Sequence, residues 1–149
     1  MRAVAQRVLS ARVAVGDAVV GEMGAGLLAL VGVGQNDSPE QAAELARKLV
    51  HLRIFGDDEG RMNRSLLDTG GSLGVVSQFT LFGDARHGRR PSFVAACPAQ
   101  RAEPLIDAVV ESARELGVTV MTGRFQASME LALVNSGPVT ILLDTDKVF

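Results

Sequence analysis

Alternation of apolar and polar side chains marks the first segment of the chain. In residues 1–15, six apolar residues share one parity, which is typical of a strand with one buried face. They are Ala3, Ala5, Leu9, Ala11, Val13 and Val15. Arg7 falls on the same face. Gly16-Asp17 then indicates a tight turn into a second apolar segment, so the pattern predicts a β-hairpin.

A continuous apolar run, GLLALVGVG, follows at residues 26–34 and is bounded by glycines. A strand without alternation is typical of a central position, with both faces of the sheet covered. Further strands are predicted at about 72–82, 117–123, 129–135 and 139–144, where β-prone apolar residues recur.

Two segments have the helical period instead. The first begins at Ser38-Pro39-Glu40, where a capping residue precedes a proline and an acidic residue. Its apolar stripe is Ala42, Leu45, Ala46, Leu49 and Val50. The second runs from about 100 to 116 and is ended by Gly117. Its stripe is Leu105, Ile106, Val109, Val110, Ala113 and Leu116.

These elements predict the fold class α+β. We expect one domain over residues 1–149, with a mostly antiparallel sheet or barrel-like core and two packed helices. A chain of 149 residues suffices for such a core. Residues 56–63 are polar and turn-rich, and no repeat or low-complexity segment interrupts the chain.

Composition excludes several classes of protein. With 47% hydrophobic and 21% charged residues the chain is neither disordered nor membrane-spanning, and no signal peptide is visible. One cysteine, Cys97, and two histidines argue against a disulfide, a metal site or a cysteine nucleophile. We therefore expect a cytoplasmic protein with no metal and no cofactor. The net charge of −2 leaves only local patches to attract a polyanion.

The segment SQFT, residues 77–80, places polar side chains on both faces of a predicted strand. Ser77 or Thr80 as a nucleophile would need an adjacent base. His51 and His87 are candidates, but no G-x-S-x-G or S-x-x-K spacing supports them. Composition alone favours hydroxyls bonded to local backbone.

Two groups of arginines are also notable. Arg86, Arg89 and Arg90 crowd with His87 into the loop GDARHGRRPSF, which either holds phosphates or is a solvated charged loop. Arg7, on a buried strand face, must find acceptors such as the carbonyls of an irregular segment, or extend to water at an edge.

Asn-Ser-Gly-Pro, at 135–138, interrupts two β-prone segments with turn formers and strand breakers. A tight turn is the simple interpretation. An X-Pro bond tolerates the cis form, however, and a cis bond at Gly137-Pro138 would turn carbonyls away from the ladder.

Taken in order, these motifs resemble the bacterial-type D-aminoacyl-tRNA deacylases. The resemblance rests on QRV, LVGVG, KLVHLRIF, VVSQFTL, GRRPSF, GRF and LVNSGPVT, and it covers Met1 to about Asp144. SQFTL and NxGPVT are the most specific, and residues 145–149 remain as a short tail.

The resemblance implies a homodimer that hydrolyses D-aminoacyl-tRNA and glycyl-tRNA at the acceptor end and spares L-aminoacyl-tRNA. It implies neither DNA nor a membrane as partner. Ser77, Gln78, Phe79 and Thr80 match the family's catalytic motif. Gly137 and Pro138 match a cis Gly-Pro that enters the partner's site, and Arg7 matches a residue that steadies it. Phe125 and Met129 match the segment walling the adenosine or aminoacyl pocket.

The resemblance also implies how the reaction could proceed. Carbonyls of Gly137 and Pro138 would engage the substrate amino group, so that an L side chain meets main chain. Backbone N–H groups of Phe79 and Thr80 would stabilise the oxyanion, with help from the ribose hydroxyl. Three alternatives stay open: the Thr80 hydroxyl as nucleophile, a non-catalytic module binding the tRNA acceptor end, and a small-molecule esterase using Ser77 and His87.

Overall fold

The computed structural model describes residues 1–149, which form eight strands, three α-helices and one 3-10 helix. The strands are β1 (Arg2–Val15), β2 (Ala18–Met23), β3 (Gly26–Gly32), β4 (Phe55–Gly56), β5 (Met62–Arg64), β6 (Ser72–Ser77), β7 (Val120–Thr122) and β8 (Glu130–Asp144). The helices are α1 (Pro39–His51), α2 (Leu66–Thr69) and α3 (Ala99–Glu115), and the 3-10 helix is Phe79–Phe82.

One sheet of six strands, in the order β2-β1-β3-β6-β7 with β8 also paired to β1, organises the molecule. β1 is antiparallel to β2, as the predicted hairpin requires, and it is also antiparallel to β3 and β8. β3 and β7 each pair with β6 in parallel. The sheet curls until β2 approaches β7, where a Cβ on Gly21 would lie only 2.4 Å from the carbonyl oxygen of Thr122. The predicted single α+β domain with a barrel-like core is confirmed, with parallel pairs in addition.

The core lies on both faces of this sheet. One face packs against the apolar stripes of α1 and α3, which match the predicted stripes. The other is a smaller cluster inside the curl: Val8, Ala11, Val13, Met23, Leu28, Val76 and Met121. β3 is buried along nearly all of its length, as its unbroken apolar run predicts.

The helix boundaries follow local capping. The Gln41 side chain accepts the N–H of Ser38 at 2.9 Å ahead of α1, and Gly117, with φ +90°, follows the end of α3. The short α2 adds a third helix to the two that were predicted. None of these helices is long and apolar enough to cross a membrane.

Two details of the predicted strands are wrong. The segment from 129 to 144 is one strand, β8, rather than two strands joined by a turn, because both halves pair with β1. Leu9 was expected on the buried face but is 59% exposed, while Val8 is buried. The pairing of β1 with β8 shifts register twice, between Gln6 and Val8 and between Val8 and Ser10. The alternation is therefore displaced only around Val8 and Leu9, and it returns to the predicted parity by Ala11.

The amino terminus is fixed to the fold by a buried ion pair. The α-ammonium of Met1 lies 2.6 Å from Asp37 Oδ1, and both side chains are almost fully buried. Asp37 also accepts the N–H of Gly34 at 2.5 Å. This pair ties the start of β1 to the segment that leads into α1.

Candidate functional site

A cavity of about 560 Å³ opens where β6 ends, between the start of α3 and the connection from β7 to β8. Its size is within the range of small-molecule sites, and most of its wall is apolar. Its lining is Val33, Val76, Ser77, Gln78, Phe79, Cys97, Ala99, Ala102, Phe125, Gln126, Ala127, Met129 and Leu131. Five of the predicted site residues therefore meet here: Ser77, Gln78, Phe79, Phe125 and Met129.

The chain changes direction at the rim of this cavity. A strand was predicted to continue to about residue 82, but β6 ends at Ser77 and a 3-10 helix starts at Phe79. Gln78 makes the bend with φ −144° and ψ 79°. The predicted alternation of Gln78 and Thr80 on one face of a strand is therefore wrong.

This turn leaves two backbone donors free. Phe79 and Thr80 occupy the first positions of the 3-10 helix, where no preceding turn supplies a carbonyl. No hydrogen bond within the chain engages either N–H group, whereas the next one, from Leu81, reaches the Gln78 carbonyl at 3.2 Å. Phe79 lines the cavity and Thr80 follows it, so both unpaired donors belong to the segment at the cavity's edge. Unpaired backbone N–H groups of this kind can stabilise a developing oxyanion.

Contacts with distant residues hold the turn in place. The N–H of Gln78 donates to the Val31 carbonyl at 2.7 Å. The Gly32 backbone is so close that an added Cβ would lie 2.9 Å from the Gln78 carbonyl oxygen. From the far side, Arg2 donates to the Leu81 carbonyl at 3.2 Å and lies 4.6 Å from the centre of the Phe82 ring.

No hydroxyl at the site has a basic partner. The Thr80 hydroxyl accepts a hydrogen bond from the Gln78 amide, and Thr80 itself is exposed. His51 lies on α1, with its Nδ1 2.8 Å from the Arg47 carbonyl oxygen, and His87 lies in an exposed loop. Neither imidazole is hydrogen-bonded to Ser77 or Thr80, so the arrangement does not contain a nucleophile with its base.

Phe125 and Met129 form the wall opposite the turn. Both are half-buried on the connection from β7 to β8, and Phe125 also packs against the main core. A Cβ on Gly123 would lie 2.7 Å from the sulfur of Met129, so the glycine gives this side chain room. Together with Phe79 they offer a surface suited to a flat apolar group such as a base.

Gly137 and Pro138 lie on an exposed bulge of β8, and they do not line the cavity of their own chain. Their peptide bond is cis, and Gly137 has φ +125°. Pairing with β1 passes from Gln6–Thr140 directly to Val8–Asn135, so that Arg7 alone faces the bulge. This loss of register is what leaves the Gly-Pro segment outside the ladder.

Arg7 binds backbone carbonyls, as its position on a strand face predicts. Its Nε donates to the Ser136 carbonyl at 3.1 Å and its Nη1 to the Ile54 carbonyl at 2.6 Å. The guanidinium is thus satisfied without a carboxylate, and it fixes the residue before Gly137. An added Cβ on Gly137 would come within 3.0 Å of Arg7 Nη2, which shows how closely the two pack.

The side chain of Asn135 bridges the bulge from the other side. Its Oδ1 accepts the N–H of Val139 at 3.0 Å, and its Nδ2 donates to the Thr140 hydroxyl at 3.0 Å. Gln6 donates to the same hydroxyl at 3.3 Å. The Gly-Pro segment is therefore held at both ends, although its own residues are exposed.

Sequence reasoning missed part of the cavity wall. Cys97, Ala99 and Ala102 line it from the start of α3, and Gln126 borders it with φ +58°. In the sequence these small apolar residues resemble ordinary core positions. No signal in the sequence separated them from the rest of the apolar stripe.

Comparison with known proteins finds close relatives that are named for one activity. A D-aminoacyl-tRNA deacylase from Roseiflexus sp. (strain RS-1) is 61% identical over 145 residues, covering 97% of this chain and 94% of that protein. One from Syntrophotalea carbinolica is 56% identical over 149 residues and the full length of both.

Solved structures have the same fold. The protein titled c-Myc DNA Unwinding Element Binding Protein superposes with a TM-score of 0.90 at 34% identity, covering 97% of this chain and 98% of the other. A probable eukaryotic D-amino acid tRNA deacylase gives a TM-score of 0.82 at 19% identity, with coverages of 95% and 97%. The family described as D-Tyr-tRNA(Tyr) deacylase matches residues 4–144, and the chain belongs to that family.

Proposed function

We propose that this chain is an esterase that releases the D-amino acid, or glycine, from charged tRNA and spares L-aminoacyl-tRNA. The observation that carries the proposal is the pair of free N–H groups, of Phe79 and Thr80, at the edge of an apolar cavity. Family membership supplies the substrate class, since relatives at 61% and 56% identity are named D-aminoacyl-tRNA deacylases.

The cavity would hold the terminal adenosine of tRNA. Phe79, Phe125 and Met129 supply flat and polarisable surface for the base, and the small residues at the start of α3 leave it space. The ester at the ribose would then lie at the turn after β6, within reach of the free donors.

Hydrolysis in this arrangement needs no protein nucleophile. Water adds to the ester carbonyl, the N–H groups of Phe79 and Thr80 stabilise the oxyanion, and the ribose oxygen leaves as a hydroxyl. The neighbouring 2′-hydroxyl relays the proton: it takes up the proton that the attacking water loses and passes its own to the leaving oxygen. Each oxyanion donor typically contributes about 10²–10³ in rate, enough for an activated ester to be cleaved usefully.

The Gly-Pro segment would select the chirality of the substrate from a second subunit. It is exposed and absent from the cavity of its own chain, which supports its presentation to the cavity of another copy. Apolar side chains of β1 and β8 near it are exposed, namely Leu9 at 59%, Val134 at 51% and Leu142 at 58%. Such a surface favours a homodimer, in which Gly137 and Pro138 carbonyls bind the substrate amino group.

Selection then follows from geometry. With the amino group and the ester both fixed, the α-carbon has one direction for a D side chain and another for an L side chain. The L direction points into main chain, which cannot retreat, so the L-ester is rejected by steric exclusion. Glycine has no side chain to exclude.

We place this activity in the cytoplasm, where aminoacyl-tRNA is made and used.

The experiment is a parallel deacylation assay with one tRNA carrying the L-amino acid, the D-amino acid or glycine. Loss of the D-ester and the glycyl ester, with the L-ester retained, is the expected result. Equal loss of all three would leave an unselective esterase. Tight tRNA binding without any hydrolysis would favour the non-catalytic acceptor-end module instead.

A further inference from the structure

A basic loop, defined as residues 83–92, begins directly after the 3-10 helix Phe79–Phe82, and its end lies close to that helix again. It contains three arginines and one aspartate, in a chain whose net charge is −2. The loop follows the 3-10 helix directly, and every residue in it except Asp84 is exposed. The proposed reaction has not assigned it a role.

The base of the basic loop is closed by backbone pairing. Asp84 and Ser92 exchange both N–H···O bonds at 2.8 Å, as an isolated antiparallel bridge. The Asp84 carboxylate also accepts three hydrogen bonds from Arg86. Two come from the guanidinium, at 2.9 and 2.6 Å, and one comes from the Arg86 backbone N–H, at 3.0 Å. The hydrogen bonds from Arg86 lower the pKa of Asp84 to about 2, so the pair stays ionised at any working pH.

The remaining cations of the basic loop have no partner. Asp84 is committed to Arg86, and no carboxylate lies within 4.0 Å of Arg89 or Arg90. Neither guanidinium donates a hydrogen bond to the chain. Gly88, with φ +105°, sets the turn just before them, and Pro91 follows. Two adjacent arginines are thus presented to solvent on a closed loop.

The basic loop is coupled to the cavity by an aromatic contact. Phe93, the residue after the closing bridge, packs edge-to-face on Phe79, with 5.1 Å between ring centres. Gly83, at the other end, is so close to this ring that an added Cβ would lie 3.0 Å from it. Since Phe79 lines the cavity, the neck of the loop lies against the cavity wall.

We propose that Arg89 and Arg90 bind backbone phosphates of the RNA strand whose 3′ end occupies the cavity. This inference rests on the proposed function. An RNA whose 3′ end lies in the cavity extends out of it as a sugar–phosphate strand. The basic loop at the rim of the cavity offers unpaired guanidinium groups to that strand. Arginine binds phosphate through two parallel N–H donors, and such contacts position a nucleic acid without reading its sequence.

The test compares the double variant R89Q/R90Q with R47Q/K48Q, which removes the same charge from the exposed face of α1, away from the cavity. Each is assayed on D-aminoacyl-tRNA and on the D-aminoacyl ester of adenosine, which has no phosphate. For R89Q/R90Q we expect kcat/KM on tRNA, relative to the adenosine ester, to fall about tenfold. Its dependence on salt, as log(kcat/KM) against log[KCl], should flatten by about 2. The α1 variant should behave like the unchanged protein.

Three results separate the possibilities. Equal kcat/KM and salt slope for R89Q/R90Q and the α1 variant would overturn the inference. An equal loss on both substrates would overturn it too, because the loop would then act through the shape of the site. If the unchanged chain cleaves neither ester, the proposed function fails. Fluorescence anisotropy with tRNA that carries no amino acid then tests the loop by itself. If the loop binds phosphate, R89Q/R90Q binds this tRNA more weakly than the unchanged protein does, and its affinity depends less on salt; equal binding would overturn the inference.

Discussion

Gly137 offers the sharpest test of how the Gly-Pro segment is held. Its φ of +125° is rarely adopted by residues with a side chain. In Gly137→Ala, the new Cβ would lie 2.8 Å from Cγ2 of Val139 and 3.0 Å from Nη2 of Arg7. The arginine end is the more mobile neighbour, so we expect it to move and to weaken its 3.1 Å bond to the Ser136 carbonyl.

Two effects with different readouts follow from this change. The backbone conformation costs about 1–3 kcal/mol in an alanine. For a domain of this size that lowers Tm by about 2–12 °C, at roughly 2–4 °C per kcal/mol. Displacing the segment by about 1 Å would reduce deacylation of the D-ester by about 10²-fold. It would also let the L-ester react, because the carbonyls no longer fix the amino group.

Gly117→Ala provides the matched control. Gly117 has φ +90°, but an added Cβ meets nothing within 4 Å, and the residue lies after α3, away from the cavity. It should lower Tm by a similar amount and leave the ratio of D to L rates unchanged. Melting curves and single-turnover deacylation of both esters measure the two effects. A Gly137→Ala protein with the same D-to-L ratio as Gly117→Ala would refute the reasoning.

Four further changes probe separate parts of the structure. Thr80→Ala should keep deacylation within about threefold in single turnover, because the N–H remains; a loss of 10²-fold or more would favour the hydroxyl as nucleophile. Asp37→Asn should lower the free energy of unfolding in urea by about 3–5 kcal/mol, because it leaves the buried Met1 ammonium with the Thr145 hydroxyl but no carboxylate, and an unchanged midpoint would contradict that role. Val134→Lys should give monomers in sedimentation and lose activity with the dimer, whereas an active monomer would show that one chain suffices. Ala127→Trp fills the cavity, and an equal mixture of this variant with Gly137→Ala should show about a quarter of the activity of the unchanged protein. Half of the dimers are then mixed, and each mixed dimer has one of its two sites intact. No recovery would place the cavity and the Gly-Pro segment of each site in one subunit.

The strands and helices were largely predictable because their signals are local. Alternation along β1, the unbroken apolar run of β3 and the stripes of α1 and α3 each reflect burial within a single element. The sequence around Gln78 contains no such signal, since SLGVVSQFTLF is β-prone throughout. The bend there is imposed from elsewhere, by Val31, Gly32 and Arg2. Local pattern could not indicate it.

At the bulge of β8 the local sequence does contain a signal, but the signal does not determine how the strand pairs. Turn formers at 135–138 correctly indicated an interruption, but a turn would have ended the pairing with β1. The strand continues because Gln6 and Val8 find partners on either side of the bulge, while Arg7 holds the carbonyl between them. The change in pairing also exposes Leu9, which the alternation of β1 by itself places on the buried face.

The same bulge explains why the recognised motifs do not form one site within a single chain. Ser77 to Phe79 meet Phe125 and Met129 at the cavity because β6 and the β7–β8 connection end at one edge of the sheet. Gly137 and Pro138 belong to β8, which pairs with β1 on the other side of β3, and the bulge turns them to solvent. The chain thus presents a cavity on one surface and the exposed Gly137-Pro138 segment on another. If a second copy supplies the Gly-Pro segment, as we propose, loss of assembly and loss of activity should coincide.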